Sequence, residues 1–554
     1  MKIRASAAPE PAEYTGIVRT KLLTYTLPLL GLSLLVGACS DGADTDGAGT
    51  NSGGTSSGVG GTVTTGGSGG VPSTGSGAGP SSGGVPGTGG APETGGGPAV
   101  GGSGGSGGGE NPAPECVPNG KARNALVSHI FTADPNAAVY GDRIYVYVSH
   151  DVDGQEGFDM IEHRVFSSDD LANWQDHGVI IRTADLRWAG RLYAPGACEK
   201  DGKYYMYLTN GGSAIGVAVA DDPGGPFVDP IGRGFLTPSF PNANVPWLFD
   251  PACYVDDDGQ AYLYFGGGPS GNNARVVRLN DDMVSIKDSA ATTLPTTAFF
   301  EAAFMHKRDG KYYLSYSSDF SSGHGAALEY YIGDSPMMQG SQYKGKLLNN
   351  GGVNSGNNNH GSIVEFQGKS YIFYHNRKLM QSLGTNKVNN RSIAIEELTY
   401  AEDGSINAMS MSTSDFTVSQ LKCLNGFEEV EAERFGAERG IEVFGDSGKT
   451  VRVADLDPGD WVAYSQVDFR NGATKLVAKV AAEASGGTID VVLDGCIDGS
   501  EGTSVGTCTV QSTGGLSTYS ELTCAISAPG GAHDLCLKFS GNTAFELDSF
   551  HLEE

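Results

Sequence analysis

The sequence predicts an all-β chain: a five-bladed β-propeller followed by a β-sandwich of jelly-roll type, with a disordered Gly/Ser-rich linker ahead of both. Three observations lead there. First, an aromatic strand core follows a Gly or Asp turn five times: Asp142-Arg-Ile-Tyr145-Val-Tyr147, Gly202-Lys-Tyr-Tyr205-Met-Tyr207, Gly259-Gln-Ala-Tyr262-Leu-Tyr264, Gly310-Lys-Tyr-Tyr313-Leu-Ser-Tyr316 and Gly368-Lys-Ser-Tyr371-Ile-Phe-Tyr374. The aligned tyrosines recur about every 50–60 residues, the length of one four-stranded blade. Second, alternating strands are punctuated by turns such as Asp-Asp-Gly259, Arg-Asp-Gly310 and Glu-Asp-Gly404, with no long amphipathic helix between them. Third, after residue 427 the chain changes to short alternating strands, 475–480 and 489–493 among them, with four clustered cysteines, which fits a small sandwich.

The chain begins basic and then turns apolar. Lys2, Arg4, Arg19 and Lys21 precede an apolar run over 22–38. That run is short for a membrane span and reads as a targeting segment. It ends Leu35-Val36-Gly37-Ala38-Cys39, which resembles the lipobox of bacterial lipoproteins, whose cysteine is lipidated after cleavage. An ordinary secretory signal that contains Cys39 is the alternative. Residues 1–39 are assigned as signal peptide and lipobox, so the protein is expected to be exported, either lipid-anchored to the bacterial (outer) membrane or secreted. Residues 40–113 are almost wholly Gly, Ser, Thr, Pro and Ala and cannot bury enough apolar surface to fold. They form a tether with a random-coil reach of about 45–50 Å.

The net charge of −28 disfavours a polyanion such as nucleic acid, whereas a neutral polysaccharide meets no such repulsion. Of nine cysteines, Cys39 belongs to the lipobox and eight remain, an even number that suggests disulfides in an exported chain. Sequence alone leaves the connectivity open. Position suggests Cys116–Cys423, which bracket the repeats, and Cys198–Cys253, which follow corresponding blade positions. Cys496–Cys508 and Cys524–Cys536 would close two local hairpins. The repeat domain is placed at 114–424 and the sandwich at 427–554.

About 11–12 residues before the aligned tyrosines stand Asp134, Ala194, Asp250, Glu301 and His360. Equivalent positions in a radial repeat face one axis, so four ionisable groups converge on the centre of a ring. Singly, Asp134-Pro135 and Asp250-Pro251 read as turn formers and Glu301 as an ion-paired strand residue. Gathered in one hollow, three carboxyl groups separate one another's pKa values, which is the raw material of acid/base chemistry.

These residues also carry a family resemblance. Phe131-Thr-Ala-Asp134-Pro135 with Tyr145-Val-Tyr147-Val-Ser149-His150, then Phe249-Asp250-Pro251-Ala-Cys-Tyr254, then Phe300-Glu301-Ala302 resemble three motifs of glycoside hydrolase family 43 in order. The resemblance implies a five-bladed propeller that inverts configuration at the cleaved sugar, with no organic cofactor. It implies Asp134 as general base, Glu301 as general acid, and Asp250 as the residue that orients Glu301 and raises its pKa. It also implies Arg391, in Asn390-Arg391-Ser392, at the substrate, and His360 on the axis, either structural or holding a calcium ion through water. Trp188 and Trp247 are candidates for stacking on sugar, with core packing the alternative. Tyr193-Ala194-Pro195 departs from the family's Trp-Ala-Pro. The implied activity is release of α-L-arabinofuranosyl or β-xylosyl units from hemicellulose such as arabinoxylan. Endo-arabinanase, exo-galactanase or a non-catalytic surface glycan-binding lipoprotein are the alternatives.

The terminal segment resembles carbohydrate-binding module family 6 through Val430-Glu431-Ala432-Glu433, Gly459-Asp460-Trp461, Ser512-Thr513-Gly514-Gly515 and His533-Asp534-Leu535. Leu516 stands where the family has Trp, residues 446–455 hold no aromatic, and Glu546 replaces an asparagine. The usual end-loop sugar cleft is therefore in question. Glu431, Glu433 and Asp548 match the family's structural calcium ligands, and oxygen ligands suit that ion.

Overall fold

The computed structural model describes residues 116–554, apart from 155–156, 270, 355–357 and 385–388. The signal segment, the lipobox cysteine Cys39 and the tether lie outside the described residues.

Each repeated Tyr core forms the second strand of a blade. After a short strand β1 (Lys121–Arg123), the first blade holds β2 (Thr132–Tyr140), β3 (Arg143–His150), β4 (Glu162–Ser168) and β5 (Trp174–Arg182). The second holds β6 (Gly196–Lys200), β7 (Lys203–Thr209) and β8 (Ile215–Ala220), and the third β9 (Ala252–Val255), β10 (Ala261–Phe265), β11 (Arg275–Arg278) and β12 (Thr292–Thr293). The fourth holds β13 (Phe299–Arg308), β14 (Lys311–Ser318), β15 (Leu328–Gly333) and β16 (Gln342–Asn349). The fifth holds β17 (Gly361–Phe366), β18 (Lys369–Asn376) and β19 (Ser392–Leu398). The innermost strands β2, β6, β9, β13 and β17 touch in cyclic order, and β17 returns to β2, which closes the ring.

Two further strands, β20 (Met409–Ser410) and β21 (Phe416–Ser419), follow. β20 runs parallel to β16, while β21 pairs with β1. The Leu126 N–H donates to the Ile393 carbonyl of β19, so the chain's early and late segments seal the fifth blade together. The Cys116–Cys423 disulfide ties the same two segments.

The recurring tyrosines have a physical reason. Tyr147, Tyr207 and Tyr264 are fully buried, and a buried phenol needs a hydrogen-bond partner. Each donates forward to the next blade: to the carbonyls of Pro223, Met283 and Pro336 at 2.7, 2.8 and 2.9 Å. Between blades the space is apolar. Tyr207, Leu263 and Phe265 fill it between the second and third, and Tyr264, Leu314 and Tyr316 between the third and fourth.

Past the propeller come β22 (Leu424–Asn425), β23 (Val430–Glu431) and β24 (Arg434–Phe435). β24 leaves the terminal module and pairs with β5, extending the first blade to five strands. The module itself is a two-sheet sandwich. One sheet contains Trp461–Asp468, Ala532–Gly541, Gly487–Leu493 and Thr503–Val510; the other contains Arg452–Ala454, Phe545–Glu553, Gly472–Ala482 and Gly515–Pro529. Their facing sides enclose Leu476, Ile489, Leu537 and Phe550.

The Cys198–Cys253 bridge forms as position suggested. The module's pairs do not: the bonds are Cys496–Cys536 and Cys508–Cys524. The cause is strand order. Gly487–Leu493, which leads into Cys496, pairs with the strand that carries Cys536, and Val492 lies opposite it. Cys508 and Cys524 sit on strands of different sheets, so their bond spans the sandwich.

Candidate active site

The axis positions are built by local backbone geometry. Asp134 and Asp250 have φ of 52° and 51°, and Ala302, just after Glu301, has 59°. This left-handed region is costly for residues other than glycine, and Asp tolerates it better than most. In β2 and β13 the ladder register also slips, between Ala133 and Asn136 and between Glu301 and Phe304. These are bulges, which re-aim a side chain out of the regular pleat. Here they turn the carboxyl groups toward the axis.

The groups meet there. Asp134 Oδ1 accepts from Arg391 Nη1 at 2.7 Å and its Oδ2 from Ser149 Oγ at 3.0 Å. His360 Nδ1 lies 3.7 Å from Asp134 Oδ1 and 3.9 Å from Asp250 Oδ2, midway between two blades' acids. Asp250 Oδ2 accepts from the Ala302 N–H at 2.9 Å, which places it beside Glu301. Glu301 Oε1 accepts from Asn358 Nδ2 at 3.3 Å, and Asn358 Oδ1 accepts from Arg391 Nη1 at 3.0 Å. One polar network thus runs from Asp134 through Arg391 and Asn358 to Glu301. All three acids, His360 and Arg391 are buried.

Their electrostatics diverge. Burial, the largest single influence, would raise the Asp134 pKa, but the Arg391 guanidinium together with His375 and His360 outweighs it and holds this carboxyl well below the usual carboxylate range. Glu301 is pushed well above its ordinary value by burial and then by the charges of Asp250 and Asp134. Asp250 is raised as well, by burial and by Asp134, as expected where three carboxyl groups share one guanidinium. Burial lowers His360 to about 4, so it is neutral near pH 7.

Several partners were not visible in the sequence. Asp151 takes Arg391 Nε and Nη2 in a two-pronged contact at 2.9 and 2.7 Å. It lies two residues past Ser149 at the end of the first-blade motif, which is the one signal that marks it. His375 accepts from the Asp134 N–H at 3.1 Å and donates to the Asn358 carbonyl at 3.1 Å. Phe158, partly exposed, covers Arg391 at 5.3 Å.

The two tryptophans lie apart in role. Trp247 stacks on Phe249 at 5.4 Å and meets Phe300 edge-on at 5.2 Å, which puts it beside both Asp250 and Glu301. Trp188 packs over Gly216, where a Cβ would lie 2.2 Å from its ring, and its indole N–H donates to Asp229. None of the contacts found for Trp188 reaches the carboxyl cluster. Ala194 leaves the second blade's axis position without an ionisable group, and neighbouring Tyr193 meets Phe249 edge-on at 6.3 Å.

The model of the family "Glycosyl hydrolases family 43" matches residues 123–406. The chain belongs to glycoside hydrolase family 43. It is therefore a glycosidase that hydrolyses O-glycosyl bonds, and its partner is carbohydrate. A second model, "Carbohydrate binding module (family 6)", matches residues 431–554. This family 43 chain is 35% identical over 472 residues to an arabinoxylan arabinofuranohydrolase of Paenibacillus polymyxa, covering 76% of the chain and 73% of that protein. It is 35% identical over 474 residues to the enzyme of the same name from Bacillus subtilis (strain 168), covering 77% and 91%. A crystal structure of a Bacillus subtilis family 43 arabinoxylan arabinofuranohydrolase with cellotetraose superposes with a TM-score of 0.71 at 34% identity, covering 78% of this chain and 97% of that one.

In the module, a polar cavity of about 370 Å³ is lined by Glu429, Glu431, Glu433, Lys479 and Asp548, with Gln175 and His177 of the first blade. Lys479 Nζ lies 2.5 Å from Asp548 Oδ2. Burial and mutual repulsion raise Glu433 well above its ordinary value, and its buried Oε2 has no hydrogen-bond partner. Among the described residues, no three His, Cys, Asp or Glu side chains stand in a ready coordinating arrangement. On the same strand, two residues before Asp548, Glu546 accepts from Arg452 Nε at 2.5 Å and from Tyr519 Oη at 3.0 Å.

Proposed function

We propose that the protein releases α-L-arabinofuranosyl or β-xylosyl units from arabinoxylan or its fragments, with inversion at the cleaved carbon. The observation that carries this reading is the opposite displacement of two carboxyl groups in one buried network. Asp134, beside Arg391, stays ionised and is suited to take a proton from water. Glu301, beside Asp250 and Asp134, stays protonated and is suited to give one to the leaving oxygen. Asp250 orients Glu301 through its contact with the adjoining Ala302 N–H, and the mutual repulsion of the two carboxyl groups disfavours ionising Glu301. Arg391 holds the base in place, and His360, neutral between Asp134 and Asp250, spaces them without adding charge. Trp247, with Phe249 and Phe300, offers aromatic surface for a sugar face beside the acid. The pentose preference rests on the relatives named arabinoxylan arabinofuranohydrolase.

Digestion of arabinoxylan followed in real time by proton NMR tests this. The expected first product is a free pentose of inverted anomeric configuration. A retained configuration, or oligosaccharide products without free pentose, would overturn it.

The module's three acids suit a hard cation. The orphaned Glu433 oxygen and the strained charge balance around it support Glu431, Glu433 and Asp548 as calcium ligands, with Lys479 standing by as the competing cation. Calcium would supply charge balance to the module rather than chemistry. At the axis, a water-held calcium near His360 is the corresponding proposal. Glu546 in its ion pair, with Leu516 in place of the family's Trp, favours sugar capture by some face other than the end loops. The 40–113 tether and a lipid on Cys39 would carry the enzyme beyond a bacterial membrane. The four disulfides agree with export, and metabolic labelling with a clickable fatty acid tests the anchor.

A further inference from the structure

Adjacent blades of a propeller share no backbone ladder, so their innermost strands are held side by side by single contacts. Around this ring the contacts lie within a few residues of the axis positions. Ala137 N–H of β2 donates to Ser362 Oγ of β17 at 2.9 Å. Ala197 N–H of β6 donates to Asn136 Oδ1 of β2 at 3.0 Å. Ala302 N–H of β13 donates to Asp250 Oδ2, just ahead of β9, at 2.9 Å. Between β6 and β9 the tie is covalent: Cys198 bonds Cys253 with their Cα atoms 5.6 Å apart, both buried. The backbones also meet there, since a Cβ on Gly196 would lie 2.1 Å from the Pro251 carbonyl oxygen. Gly196 and Cys198 thus grip β9 at residues 251 and 253, immediately after Asp250.

We propose that the Cys198–Cys253 disulfide, with Gly196, is a positioning device for the active site: it fixes the start of β9 and thereby the placement of Asp250 against Glu301. The inference rests on the reading of Glu301 as the proton donor. Asp250 holds a left-handed backbone, a conformation that persists only where the surroundings enforce it. The proline after it, the close approach of Gly196 and the disulfide are those surroundings. The charged and titratable groups facing Asp250 are Asp134, Glu301, His360 and Arg391. The Asp250 charge is one of the groups that raise Glu301. A displaced Asp250 would therefore both misdirect the acid and lower its pKa.

The test is the Cys198→Ala/Cys253→Ala variant of the full chain, assayed on two substrates of one pentose. A nitrophenyl glycoside has a good leaving group and needs little proton donation; an oligosaccharide needs it in full. A displacement of about 1 Å is expected to lower kcat on the oligosaccharide by about 10–100-fold while the nitrophenyl rate persists. The alkaline limb of kcat/KM should also move to lower pH. Equal loss on both substrates, or no loss on either, would overturn the proposal and leave the bond merely structural. Glu301→Gln is the control. If it shows no such leaving-group dependence, the acid assignment falls instead. Should the alanine pair fail to fold, Cys198→Ala/Cys253→Val refills the lost volume and takes the same measurement.

Discussion

Arg391 holds the charge balance of the site on one side chain. It serves Asp134 and Asp151 at once, and it is buried to about the same degree as they are. Removing it leaves two buried carboxylates without a counter-charge. Arg391→Met is expected to cost about 3–5 kcal/mol, read as a fall in denaturation midpoint. The sign with pH follows from Asp134. Its folded pKa is depressed, so the stability of the pair is present above the unfolded value of about 3.9 and lost as pH falls toward the folded value. Without Arg391 that pKa rises, so the acid limb of kcat/KM should move to higher pH in any variant that still folds. Glu301 sets the other limb: its pKa is raised, and activity should decline as pH rises through it. Asp134→Asn and Glu301→Gln should each lower oligosaccharide turnover by about 10²–10⁴-fold while the far-ultraviolet circular dichroism stays unchanged. The repeat made Asp134, Asp250, Glu301 and His360 legible, because each sits at a fixed offset from a strand core. Asp151, Asn358 and His375 carry no such offset. Their roles come from where loops and strand ends cross the axis, which no local spacing encodes.

At the scale of elements, the propeller was readable because its stabilising contacts repeat with its period. The forward hydrogen bonds of Tyr147, Tyr207 and Tyr264 span 76, 76 and 72 residues, so one blade's tyrosine predicts the next blade's carbonyl. The module gave less away. Its disulfides are nested, Cys496–Cys536 across 40 residues enclosing Cys508–Cys524 across 16, so pairing the first two and the last two cysteines put both bonds in the wrong place. The tyrosine series yields a quantitative expectation. Each Tyr→Phe change leaves a buried carbonyl without its donor and should cost about 1 kcal/mol. The three lie in separate blades, so the triple variant should show close to the sum. A triple change that costs no more than a single one would mean that the blades do not depend on these links.

At the scale of the molecule, the described domains are joined through the first blade. β24 adds to the edge of β5, which hides a row of backbone groups that an exposed edge would offer to another chain. Asp169 of that blade gathers Arg143, Lys422 and Arg434, the last two from the connection to the module. Arg182 reaches Asp446 at 2.7 Å, and Ser447 Oγ donates to the Gly224 carbonyl. Backbone meets backbone at Gly178, where φ is 73° and an added Cβ would lie 2.5 Å from the Gly445 carbonyl oxygen. Gly178→Ala must therefore change a strained backbone and push the module's loop away, and neither can be relieved by a flexible side chain. With the seam intact, propeller and module should unfold together in scanning calorimetry. In Gly178→Ala the trace should split into two transitions, the propeller first, because its first blade has lost the backbone bonds that Val179 makes with Gly445 and Ser447 of the module. Turnover of a small nitrophenyl glycoside should persist below the first transition, since no residue of the seam touches the carboxyl cluster. A single unshifted transition in this variant would show that the blade edge and the module are not mechanically coupled there.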